Sequence, residues 1–120
     1  MKKLTIISFL LFSHLIAAGT SHAGSESFIT ASDFIKASEA KETKEKMKTY
    51  AGGLANGITW ANTELEKTRN KPLFCLAKNE ELKDTHILGL AKAHVKRFPH
   101  VSAFPVGLVV IKELTEFYPC

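Results

Sequence analysis

The stretch CLAKNEELKDTHILGLAKAHVKRFPHVSAFPVGLVVIKELTEFYPC, residues 75–120, decides the fold. Its apolar residues recur at helical spacing twice. Leu82, Ile87, Leu90, Ala91, His94, Val95 and Phe98 supply one inner face. That helix is predicted from about Glu80 to Arg97, with Asn79 as its cap and Pro99 as its stop. Val106, Val109, Val110, Leu114 and Phe117 line a second helix, opened by Pro105 where a missing N–H costs nothing. The β-branched run Val109-Val110-Ile111 also fits a strand, but the 3–4 periodicity and the flanking prolines favour helix. His100 to Phe104 form the loop between the two helices, and Ser102 is a candidate N-cap.

Upstream, Asn70-Lys71-Pro72 is a helix breaker, and Leu73-Phe74-Cys75-Leu76 is a short apolar segment that delivers Cys75 to the core. A long helix precedes it from about Glu42 or Thr43. Its stripe runs Met47, Tyr50, Ala51, Leu54, Ile58, Ala61 and Leu65. Gly52, Gly53 and Gly57 interrupt it, each at roughly 1 kcal/mol of helix propensity. A close crossing by another helix explains them; a kink is the competing explanation. Trp60 lies off the stripe and marks a second contact surface, either inside a wrapped bundle or between subunits. Thr30-Ala-Ser-Asp33 looks like a capping box for a short first helix through about Ala40, with Phe34, Ile35 and Ala37 facing inward. The expected architecture is all-α: a small single-domain bundle of about four helices with one disulfide.

The N-terminus reads as an export signal. Lys2 and Lys3 precede an apolar run from Leu4 to Ala18, and Ser21-His22-Ala23 offers small residues at −3 and −1 before Gly24. The run is roughly 15 residues, short of the ~20 a membrane span needs. The expectation is a signal peptide over residues 1–23, cleaved after Ala23, a helical domain over 24–120, a periplasmic location and no membrane span. Cleavage leaves 14 basic and 12 acidic residues. Lysines and glutamates alternate along Lys36–Lys48 and Glu64–Lys71, which is a solvated helix face, not a nucleic-acid stripe.

Cys75 and Cys120 are the only two cysteines. In an exported chain they are most simply one disulfide, worth about 4 kcal/mol in chain-entropy terms for a loop of this length. A free thiol pair and two intermolecular bridges are the alternatives. There is no Cys-x-x-Cys, no G-x-S-x-G and no P-loop. Gly52-Gly53-x-x-x-Gly57 sits in a helical stripe with no strand before it, so it reads as packing and not as a phosphate loop. His86 and His94 are two turns apart, too far to chelate one metal as an i, i+4 pair would. These and His100 read as surface or half-buried histidines. The expectation is a non-catalytic binding protein with no cofactor and no metal.

Four pieces then stand in a particular order: Tyr50-Ala-Gly-Gly53-x-x-x-Gly57, Phe74-Cys75, the helix Leu82–Phe98 ending in Pro99, and Val109-Val110-Ile111-x-Glu113-Leu114-x-x-Phe117-Tyr118-Pro119-Cys120. This order resembles the Tai, or resistance-associated, family of periplasmic immunity proteins, over about Phe28 to Cys120. Two departures stand out: no cysteine lies between Ala37 and Ala51, and Ala77 stands where a proline often follows Phe-Cys. The missing cysteines point to the branch against the fourth type of amidase effector, a papain-like cysteine endopeptidase. The resemblance implies a helical homodimer that inhibits a type VI secretion peptidoglycan amidase by occluding its catalytic cleft, in competition between bacteria. Two polar segments are the candidate partner-binding residues: Glu64, Glu66, Lys67, Arg69 and Asn70 at the end of the long helix, and His100, Val101 and Ser102 in the proline-bracketed loop. The alternative is a periplasmic acid-stress chaperone of small helical type. A small-ligand carrier is a further option the residues leave open.

Overall fold

The computed structural model describes residues 27–120; the expected signal peptide, residues 1–23, lies outside the described residues. The order of elements is α1 (Ala31–Glu39), α2 (Lys44–Arg69), α3 (Asp84–Arg97), a 3-10 turn (Pro99–Ala103) and α4 (Val106–Phe117). Among the described residues the fold is all-α with four helices. Strand-like pairing among the described residues is confined to one isolated bridge, Thr30 with Pro105. No helix among them is long and apolar enough to cross a membrane.

Each helix starts and stops for a local reason. The Thr30 hydroxyl accepts the Asp33 N–H at 3.1 Å, one half of the expected capping box. The Thr43 hydroxyl donates to the Ala37 carbonyl at 2.6 Å and closes the α1–α2 corner. Asn70 ends α2 in the left-handed region at φ 49°, a conformation asparagine tolerates better than most residues. α3 begins four residues later than the sequence predicts. Asn79 takes φ 73° in a turn in which the Glu80 N–H reaches the Ala77 carbonyl at 2.9 Å, so it serves the turn and does not cap a helix. Ser102 lies within the 3-10 turn, and Pro105 occupies the N-cap position of α4.

The core sits between α1, α3 and α4. Phe34, Ile87, Leu114, Val106, Val109 and Val110 are its largest fully buried side chains, each worth about 1.5–3 kcal/mol of apolar burial. α2 covers this core with a narrow strip, Ala51, Ala55 and Ile58, while Met47, Leu54 and Leu65 are only half-buried and Tyr50 and Ala61 are exposed. The close-crossing account of its glycines fails at two of the three positions. A Cβ on Gly53 or Gly57 would meet nothing within 4 Å, and one on Gly52 would make ordinary contact with the Asp84 Cβ at 3.8 Å. The close approach is instead at Gly107 of α4, where a Cβ would sit 3.2 Å from Leu54. Trp60 is 79% exposed, which rules out a place inside the bundle.

Cys75 and Cys120 form the disulfide, with their Cα atoms 4.8 Å apart. Two features bring them together. Asn62 of α2 accepts the N–H groups of Leu73 (2.7 Å) and Phe74 (3.3 Å) and donates to the Phe74 carbonyl (2.9 Å), pinning the segment that carries Cys75. The Cys75 N–H then donates to the Tyr118 carbonyl at 2.8 Å.

Candidate functional site

The α3–α4 interface holds the one buried ionic cluster among the described residues. His94 of α3 and Glu113 of α4, each 4% exposed, meet at 2.8 Å between His94 Nδ1 and Glu113 Oε2. Arg97, one turn on from His94, donates to Glu113 Oε2 and, at 2.7 Å, to Glu116 Oε1. Partial burial opposes the Arg97 charge, but the hydrogen bonds to Glu116 and Glu113 outweigh it and hold its pKa above the ordinary value. The guanidinium stays cationic and is stacked as well as bonded: it lies 4.3 Å from the Phe117 ring centroid and 5.3 Å from that of Phe98.

Chemically this cluster is a bracket. His94, Glu113 and Glu116 place ligand atoms within 4.8 Å of one another, but Arg97 already bonds both carboxylates and supplies the positive charge a metal would bring. His94 and Glu113 also have the pairing of a general-base dyad, yet both are closed to a substrate. Glu113 belongs to the apolar stripe of α4, seven residues after Val106 and three after Val110. A carboxylate on a stripe that is otherwise valine, leucine and phenylalanine was the available sign of a buried partner, and His94 on the inner face of α3 was the other half. The half-buried expectation for His94 is therefore corrected: it is in the core.

From this bracket an aromatic edge runs outward along the 3-10 turn. Phe98 packs at a tilt of 52° against His94 with 5.0 Å between centroids, His100 lies edge-on to Phe98 at 6.3 Å, and Phe104 lies edge-on to His100 at 6.4 Å. Phe98, Phe104 and Phe117 are 38%, 40% and 54% exposed, so an edge of three half-open rings flanks the exposed His100 and the Arg97 head. Phe98 and Phe117, expected on inner faces, thus turn largely outward to sandwich Arg97. Backbone hydrogen bonds hold the edge in place. Val101 N–H reaches the Phe98 carbonyl (3.0 Å) and Phe104 N–H the Val101 carbonyl (2.9 Å). Ala31 N–H reaches the Phe104 carbonyl (2.9 Å) and Val106 N–H the Ile29 carbonyl (3.0 Å).

The expected partner-binding residues divide accordingly. His100 is exposed and Ser102 half-buried, but Val101 is a core residue, 4% exposed, that anchors the turn and offers nothing to a partner. Glu64, Glu66, Lys67, Arg69 and Asn70 are all exposed on the last turns of α2, with no ion pair among them. The two segments are not brought together. The first leads through Pro72 to the Cys120 end of α4, and the second leads into the Pro105 end. A third open surface is the outer face of α2, where Gly53, Gly57, Trp60 and Ala61 are exposed in succession. No family model, no curated protein and no solved structure matches this chain.

Proposed function

We propose that this chain is a non-catalytic periplasmic immunity protein that binds a peptidoglycan amidase of the papain-like cysteine endopeptidase class and occludes its catalytic cleft. The observation that carries this reading is the aromatic edge of the 3-10 turn. His100 projects between Phe98 and Phe104 on backbone already fixed at both ends, so little ordering entropy is lost when a cleft closes over it. Aromatic rings and an arginine are the side chains that dominate binding energy at protein interfaces. The resemblance of the residue order 50–120 to the Tai family and the export signal point the same way. Of the two candidate segments, the edge is favoured over Glu64–Asn70, whose charges are fully solvated and would mainly steer association. The outer face of α2, with Trp60, is the surface on which a second copy would form the expected homodimer.

The test combines purified Gly24–Cys120 with papain-like peptidoglycan amidases in a muropeptide-release assay. Stoichiometric loss of cleavage, relieved by His100→Asp or Phe104→Asp, is expected. Undiminished cleavage at equimolar protein would remove the proposal.

The acid-stress chaperone reading has one observation in its favour. His94 and Arg97 both rest on the Glu113 carboxylate at the α3–α4 contact, so loss of that shared partner would loosen the two helices and open apolar surface. Suppression of client aggregation at about pH 2–3, where carboxylates are protonated, without amidase binding at neutral pH, is the result that would put this reading first.

A further inference from the structure

Two members of the buried ionic cluster reach the aromatic edge, and both reach it at Phe98. The His94 ring centre lies 5.0 Å from that of Phe98, and the Arg97 guanidinium lies 5.3 Å from it. Successive residues of a helix point about 100° apart and do not face each other. Phe98 escapes this because α3 has ended. At φ −130° and ψ 77° its backbone is no longer helical, while its N–H still reaches the His94 carbonyl at 2.8 Å. Its ring folds back against the residue that precedes it. His100 then lies edge-on to Phe98, and Phe104 edge-on to His100, so the edge is built outward from one ring.

The guanidinium that meets this ring is itself held from the core. One terminal nitrogen donates to Glu113, and the other donates to Glu116 at 2.7 Å. Glu113 is 4% exposed and is fixed in turn by His94 Nδ1 at 2.8 Å. Both terminal nitrogens of Arg97 are thus committed to carboxylates, and its plane lies against Phe98 and Phe117. Lysine is a point charge without a plane, so it cannot hold two carboxylates and pack on two rings at once.

Resting on the reading that this edge enters the amidase cleft, we propose that Arg97 is its positioning residue. Arg97 orders the Phe98 ring, and through it His100 and Phe104, and it acts on a partner only through those rings. Rings already ordered lose less freedom when a cleft closes over them. Freeing two of them should weaken the complex about tenfold, mainly by faster dissociation.

The test is a double-mutant cycle on Arg97→Lys and Phe98→Leu in Gly24–Cys120. Two quantities are read at constant pH: Kd for a papain-like peptidoglycan amidase, and the ring-proton shifts of His100 in the free chain, which neighbouring rings displace. Arg97→Lys keeps the charge, yet it should weaken the complex about tenfold and move the His100 signals. In the Phe98→Leu background the same substitution should change neither, because the ring that it positions is gone. An arginine that met the amidase itself would lose the same factor in both backgrounds. One that served stability alone would lower Tm and leave Kd and the His100 signals unmoved. Either result overturns the proposal. If the wild type binds no such amidase, the proposed function falls, and the His100 shifts of the same four proteins still decide the role of Arg97. A shift that depends on Phe98 upholds it, and no shift on Arg97→Lys overturns it.

Discussion

α4 and α2 use their residues in opposite ways. α4 has 12 residues and buries five of them, Val106, Val109, Val110, Glu113 and Leu114. α2 has 26 and buries three, Ala51, Ala55 and Ile58. The shorter helix is the centre of the core, gripped by the His94–Glu113–Arg97 bracket on one side and tethered by the disulfide at its end. The longer one is a lid, most of whose circumference faces water, including Trp60 and two glycines with nothing near them. The first region is mostly buried side chain, and the second offers most of its surface to solvent. The contrast makes mutations in the two helices separable by measurement.

The largest effect belongs to the staple. Cys75→Ser with Cys120→Ser should cost about 4 kcal/mol, or about 20 °C in Tm for a domain this small. A loss under a few degrees would mean that α4 is held by packing alone. Next is the bracket. Glu113→Ala leaves the buried His94 Nδ1 without its partner and should cost about 1–3 kcal/mol, the penalty of an unsatisfied buried polar group. Glu116→Ala, at the exposed side of the same arginine, should cost less than about 1 kcal/mol.

Asn62 is where α2 does contribute to the staple region. Asn62→Ala frees two N–H groups and a carbonyl in the 73–74 segment and should cost about 1–2 kcal/mol, read as a fall in the urea midpoint and faster reduction of the disulfide. Gly57→Ala has the opposite sign. The site is helical and open, so alanine should add up to about 1 kcal/mol to the monomer; destabilisation would mean that something packs there. Trp60→Ala should move Tm least, within about 0.5 kcal/mol. Its expected effect is on association, seen by sedimentation as loss of any dimer. A large thermal loss would contradict its place on the surface.

Much of the core was legible because helical periodicity and prolines reported it directly. Val106, Val109, Val110 and Leu114 are where their spacing places them, and Thr30 caps α1 as its motif predicts. The misplaced start of α3 has a physical cause: Asn79 is as suited to a left-handed turn as to a cap, and a local sequence does not decide between them. The glycines of α2 misled for a related reason, since propensity says that a helix tolerates them but not which side they face. The buried pair was half visible in two ordinary apolar stripes. Its pairing required the α3–α4 crossing, as did the turning of Phe98 and Phe117 outward to hold Arg97. Asn62 carried no periodic signal at all, because its partners are backbone groups of a later segment. Of the candidate site residues, His100 is exposed as expected, whereas Val101 was legible only as one more residue of a loop.

The most direct measurement is hydrogen exchange on Gly24–Cys120, alone and saturated with a papain-like peptidoglycan amidase. New protection is expected over residues 98–104, with residues 64–71 little changed. Protection confined to 64–71, or none anywhere, would contradict the assignment of the aromatic edge as the surface that enters the cleft.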